Sequence, residues 1–198
     1  MSLVHIVYAH PNPVSFTHAL LDAFVAGLDD AGHQHSISDL YAMGFNPVMS
    51  PAEYARESRC DAALPVAGDV AQEQAALDAA DVWVFVYPVW WSDCPAILKG
   101  WFDRVWTVGW AYHEPTATPT RKALVLCSAG QSVEHLRDTG LGQAMRAVMV
   151  SDRIFTRADV ADMQVFAGSE GADPAQWELI RQQHLDQARH LGQTIDLA

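Results

Sequence analysis

The chain has 198 residues, with 12 basic against 24 acidic for a net charge of −12, 50% apolar and 18% charged residues. At about 150 residues per domain it reads as one domain, large enough to bury about 70% of its unfolded surface without disulfides. The acidic balance argues against a nucleic-acid backbone or an anionic membrane surface as partner, since both need clustered Lys and Arg. The longest apolar run, Val82 to Trp91, is too short to cross about 30 Å of hydrocarbon, and no integral membrane segment or signal peptide is expected. Three cysteines without a C-x-x-C pair (Cys60, Cys94, Cys127) suit a reduced, cytoplasmic setting. The histidines show no metal-ligand spacing, and no metal is expected.

Strand and helix patterns alternate. Leu3 to Ala9 is a buried strand by its continuous apolar run, and Ser15 to Ala31 is a helix closed by Gly32. His33 to Asp39 alternates polar and apolar residues, as an edge strand does. Leu40 to Gly68 holds three prolines, lacks clean periodicity and is too long for a plain connection. Asp69 with Gln72 resembles a capping box opening an Ala-rich helix. Val82 to Tyr87 is the strongest strand, ended by Pro88, and Cys94 to Trp106 is helical. Lys122 to Ser128 is another buried strand; a helix is expected over Leu141 to Val150 and a last strand within Arg153 to Val165. Asp173-Pro174 starts the final helix. The order predicts an α/β fold: a doubly wound parallel sheet in one domain over 1–198, with an insertion at 40–68 and a loop at 108–121.

Ligands of such sheets bind outside the carboxyl ends of the strands. The first end, His10 to Thr17, leads into a helix whose free amides suit a phosphate, with Ser15 and Thr17 adding hydroxyls. Ser15 also reads simply as the N-cap. The second, Pro88-Val89-Trp90-Trp91-Ser92, carries two tryptophans that suit a flat heterocycle, or else cover the core edge. The third, Ser128-Ala129-Gly130, lets a ring or phosphate approach the backbone. Cys127 reads as a structural thiol, whereas Cys94 opens a helix where a thiolate is favoured.

Ser38-Asp39-Leu40-Tyr41-Ala42-Met43, Phe45-Asn46-Pro47 and the block Pro95 to Val105 (PAILKGWFDRV) resemble the NAD(P)H:quinone oxidoreductase family of flavoproteins, of the DT-diaphorase type. The resemblance runs from Val4 to about Gly130. It implies a flavodoxin-like fold with a five-stranded sheet in the order 2-1-3-4-5. It also implies a bound flavin, with FAD slightly favoured over FMN, NAD(P)H as cosubstrate, a quinone-like flat acceptor, and a homodimer with active sites at its interface. By that resemblance His10, Ser15, Phe16 and Thr17 hold the phosphates and ribityl chain. Pro88, Val89, Trp90, Trp91 and Ser92 lie along the ring, and Ser128, Ala129 and Gly130 form the second loop against it. Tyr112 caps the substrate pocket, and His135 falls near a tyrosine thought to steady charge on the reduced flavin.

The implied activity is ping-pong hydride transfer from NAD(P)H through the flavin to the acceptor. A flavin-based electron carrier and a redox-sensing regulatory subunit of a transporter are the alternatives. The first loop, His-Pro-Asn-Pro, lacks the Thr, Ser and Gly of the carriers. The aromatics running from Trp101 to Trp110 and Tyr112 exceed what one core needs, which suits a dimer interface.

Overall fold

The computed structural model describes residues 1–196. Five parallel strands, β1 (Leu3–Tyr8), β2 (Gln34–Asp39), β3 (Val82–Pro88), β4 (Thr120–Ser128) and β5 (Ala158–Phe166), form one sheet in the order β2-β1-β3-β4-β5. The predicted order is the observed one. Every residue of the central β3 is buried. Its successive side chains enter two separate cores, as a strand covered on both faces requires. Val82, Val84 and Val86 pack with Leu20, Phe24 and Leu28 of α1 (Phe16–Asp30) and with Ala188 of α7 (Pro174–Gln193). Trp83, Phe85 and Tyr87 face α3 (Gly68–Ala79) and α4 (Ala96–Val105).

Helices α1 and α7 meet through glycines. A Cβ on Gly27 would stand 2.0 Å from the Arg189 carbonyl oxygen, and one on Gly192 would stand 2.2 Å from that of Phe24. Alanine ordinarily gains about 0.8–1.0 kcal/mol over glycine inside a helix, but overpacking costs about 1–3 kcal/mol. Gly192→Ala is therefore expected to lower the melting temperature. Gly142→Ala, whose Cβ would meet nothing nearer than 3.5 Å, should raise it.

Four expectations need correction. The 40–68 stretch is not without regular structure. It holds α2 (Pro51–Ser58), opened by a capping box between Ser50 and Glu53. Asp69 and Gln72 form no such box: α3 starts after Ala67 without a side-chain cap, and Asp69 spends its carboxylate on Arg104 at 2.6 and 2.9 Å. The helix expected over 141–150 is divided. A short α5 (Val133–Asp138) precedes α6 (Leu141–Arg146), which passes at Ala147 into a wider π-helical segment ending at Ile154. That segment ends at Ile154, and β5 follows from Ala158, inside the range in which the last strand is expected. Finally, Trp106 and Trp110 are core residues, with ring centroids 5.5 Å apart and 5.9 and 6.4 Å from Trp83. The aromatic surplus thus packs inside this chain and gives no argument for a second copy.

Candidate active site

All strands point the same way, so the three expected loops emerge on one edge of the sheet. There they are joined. Thr17 Oγ1 lies 2.8 Å from Ser128 Oγ, linking the first loop to the third. The Val89 amide donates to the Ser128 carbonyl at 2.8 Å, linking the second to the third. The His10 and Trp90 rings sit 6.2 Å apart, linking the first to the second.

Each loop has a local reason for its shape. In the first, the Asn12 amide donates to His10 Nδ1 at 3.0 Å and Asn12 Oδ1 accepts from the Val14 amide at 3.0 Å. Pro11 and Pro13 stiffen the turn. Ser15 is the N-cap of α1, its Oγ accepting from the His18 amide at 3.1 Å. The first-turn amides of Phe16 and Thr17 have no intrahelical acceptor. Burial lowers the His10 pKa below its ordinary value, so the ring is neutral near neutral pH. A cavity of about 420 Å³ opens beside this helix start, between Ser15, His18, Trp177 and Arg181.

In the second loop Trp90 and Asp93 exchange backbone hydrogen bonds at 2.9 and 3.1 Å. Trp91 and Ser92 at the tip have φ of 53° and 62°, left-handed values that side chains other than Gly, Asn and Asp seldom adopt. The Trp91 side chain is wholly exposed. In the third loop the Ala129 amide donates to the Phe166 carbonyl at 2.9 Å, and Ser132 caps α5 through the His135 amide. His135 is exposed on the first turn of α5.

A fourth loop, between β5 and α7, belongs to this edge and is not among the three strand ends named from the sequence. The amides of Gly168 and Glu170 donate to the carbonyls of Gln131 and Gly130 at 2.9 and 2.8 Å. Its signal was the pair Gly168 and Gly171, both at positive φ.

Tyr112 is not brought to these loops within its own chain. Its hydroxyl donates to Glu57 of α2, and burial, with that hydrogen bond, pushes its pKa well above the ordinary value. It lines a different cavity of about 380 Å³, with Phe102, Trp106, Val148, Arg153 and Arg157. Cys94 is no poised thiolate either. Burial pushes it up to about 12, against the pull of the adjacent Arg153. Buried Cys127 is pushed higher still. A thiol reagent near neutral pH should modify only the exposed Cys60 of the native protein's three cysteines; labelling counted by mass spectrometry checks this.

Among the described residues there is no cluster of side chains fit to hold a metal ion, and no helix long and apolar enough to cross a membrane.

A parallel 2-1-3-4-5 sheet with its loops gathered on the carboxyl edge defines a flavodoxin-like α/β protein. A family model described as "flavodoxin-like fold" matches residues 2–191, and the chain belongs to that family. The structure is similar to that of the NAD(P)H:quinone oxidoreductase from Methanothermobacter marburgensis. The two are 41% identical with a TM-score of 0.92, covering 98% of this chain and 96% of that one. The sequence is 38% identical over 151 residues to NAD(P)H dehydrogenase (quinone) 1 of Cavia porcellus, covering 64% of this chain and 53% of that protein. It is 32% identical over 161 residues to the ribosyldihydronicotinamide dehydrogenase (quinone) of Pongo abelii, covering 72% and 70%. The chain spans about half the length of the curated NAD(P)H dehydrogenases (quinone) it matches.

Proposed function

We propose that the protein is a flavin-dependent NAD(P)H:quinone oxidoreductase. The observation that carries this reading is the joining of the three loops around one sheet edge, with open amides at the start of α1, hydroxyls and an exposed indole. The donor set fits a flavin: the open amides of Phe16 and Thr17, with the positive end of α1, suit its phosphate. Ser15, Thr17 and Ser128 supply hydroxyls for the polar chain. Of the amides in the second and third loops, those of Val89, Trp90 and Ala129 are engaged within the protein, which leaves Trp91, Ser92 and Gly130 to face the ring beside the indoles of Trp90 and Trp91. The flavin, when bound, supplies hydride transfer from NAD(P)H to a flat acceptor taken up in turn.

The protein's part is to bind, orient and exclude water. Amides of the second and third loops stabilise negative charge at the polar end of the ring. Trp91 offers a stacking face at the rim, and the exposed His135, on the helix that follows the third loop, is proposed to steady charge on a ligand there. FAD rather than FMN is the form proposed, because the cavity beside Ser15 and Trp177 has room for an adenylate half. The protein is further proposed to work as a homodimer in the cytoplasm, where the free cysteines stay reduced. Tyr112 lines a cavity apart from its own loops, and the partly exposed Val148 lines it too. That arrangement fits Tyr112 closing the partner's substrate pocket.

The test is a visible absorption spectrum of the purified protein before and after anaerobic NADPH or NADH. Flavin bands that bleach on mixing and return with added quinone support the reading. A bound flavin that neither nucleotide reduces points to a carrier or sensor, and a protein that takes up neither FAD nor FMN sinks it.

A further inference from the structure

Arg153 lies one residue before the end of the π-helical segment, and only 8% of it is exposed. Its guanidinium grips Asp93 with both branches, at 2.7 and 3.0 Å. Its carbon lies 5.4 Å from the centre of the Phe102 ring, and Nη1 also meets Met149 Sδ at 3.1 Å and Cys94 Sγ at 3.3 Å. The side chain is thus boxed in by α4 and by its own helical segment, and only the fork reaches the second loop. Its backbone is fixed too, since the Arg153 carbonyl accepts from Trp106 Nε1 at 2.6 Å. At the other end of the pair, Asp93 Oδ1 accepts the Cys94 amide at 2.7 Å. Asp93 is also the residue that closes the turn onto Trp90.

That turn needs holding. Two successive left-handed residues are normally Asn-Gly or Gly-Gly, and here they are Trp91 and Ser92. A methionine could fill the box between Met149 and Phe102 without desolvating a charge, and buried ion pairs add little net stability over such packing. What the fork does supply is a fixed distance and orientation. We infer that Arg153 is a positioning residue: through Asp93 it holds Trp90 to Asp93 in the strained turn that presents Trp91 and the loop amides to the bound flavin. The inference rests on the flavin reading above. Burial alone would raise the Asp93 pKa, but the hydrogen bonds from Arg153 and the Cys94 amide outweigh it and leave it lowered. The brace therefore stays charged throughout the neutral range.

The experiment compares the whole protein with Arg153→Met, Arg153→Lys and Asp93→Asn. Each is stripped of flavin and titrated with FMN and with FAD, following quenching of flavin fluorescence and the fine structure of the visible band. Misplacement of a contact by about 1 Å can cost about 100-fold in a positioned reaction; here Met and Asn are expected to weaken flavin binding by about tenfold or more. They should also blur the band as water reaches the ring, while Lys recovers part of the affinity. Asp93→Asn carries the test if Arg153→Met fails to fold, since it removes the pair from its half-exposed end. Wild-type affinity and an unchanged band in folded Asp93→Asn would overturn the brace while leaving the flavin site standing. Failure of the unaltered protein to bind either flavin would overturn both.

Discussion

Arg104→Met is expected to cost about 3 kcal/mol of stability, close to 6–12 °C in melting temperature for a chain of this size. Arg104 is 6% exposed and is where the 40–68 segment is fastened to α4. Its guanidinium donates to Glu53 at 2.7 Å, to Asp69 at 2.6 and 2.9 Å and to the Asn46 carbonyl at 2.7 Å, and it lies 5.1 Å from the centre of the Phe45 ring. Removing one partner from a buried pair strands the other. Here Glu53, with 14% of its side chain exposed, is stranded, while Asp69 at 41% can be rehydrated. The cost therefore falls at the low end of the usual range.

The same residues set the sign of a pH effect. The hydrogen bonds from Arg104 are the largest influence on Asp69 and hold it below the ordinary carboxylate value; in Glu53 the bonds from Ser50 and Arg104 outweigh the upward push of burial. Acids lowered in the folded state contribute stability that is complete above their unfolded pKa and is lost as pH falls through the folded one. The gap in melting temperature between the wild type and Arg104→Met should be full at neutral pH and narrow below about pH 4. A gap that does not change with pH would remove the two carboxylates from the account.

The sheet was legible because its strands are nearly continuous apolar runs. Val82 to Tyr87 has only one physical reading once Pro88 stops it, and Ser15, Gly32 and Asp173-Pro174 mark helix ends by local chemistry. What local chemistry could not reveal is a partner distant in sequence. Asp69 sits where a capping acid would, but its carboxylate belongs to Arg104, 35 residues away. Short α2 was hidden because its eight residues offer only two alanines and a tyrosine as an apolar face, although Ser50-Pro51-Ala52-Glu53 was a readable start signal. The tryptophans after α4 were counted as surplus because a sequence does not show how much volume lies beneath a sheet. Trp83, Trp101, Trp106 and Trp110 fill it together.

The candidate site was legible for a simpler reason: parallel strands all deliver their loops to one edge, so naming the strand ends named His10, Trp90 and Ser128 together. The π-helical segment had no such signal. Its residues Ala147 to Ile154 read as ordinary helix followed by strand, and the widening that aims Arg153 at Asp93 is a tertiary event. Nor does Trp91-Ser92 suggest a left-handed tip, because turn preferences would place Asn or Gly there. A residue that breaks a local rule without packing against anything is the kind expected where function outweighs stability.

Trp91→Gly turns that contrast into a measurement. The side chain is wholly exposed and held at φ 53°. A left-handed conformation costs a residue with a Cβ about 1–2 kcal/mol, and glycine removes that cost while adding about 0.5–1 kcal/mol of unfolded-state entropy. The two nearly offset, so the melting temperature should hold or rise slightly. The stacking face is lost, and aromatic contacts are worth about 0.5–1.5 kcal/mol beyond burial, which at the upper end is about tenfold in affinity. The variant should therefore fold as well as the wild type yet lose close to tenfold in kcat/KM for a quinone, with Trp91→Phe losing less. Steady-state kinetics beside a thermal melt reads both. Unchanged kcat/KM would leave Trp91 a strained residue without a purpose at the rim; a large fall in melting temperature would mean that the indole packs against the protein after all.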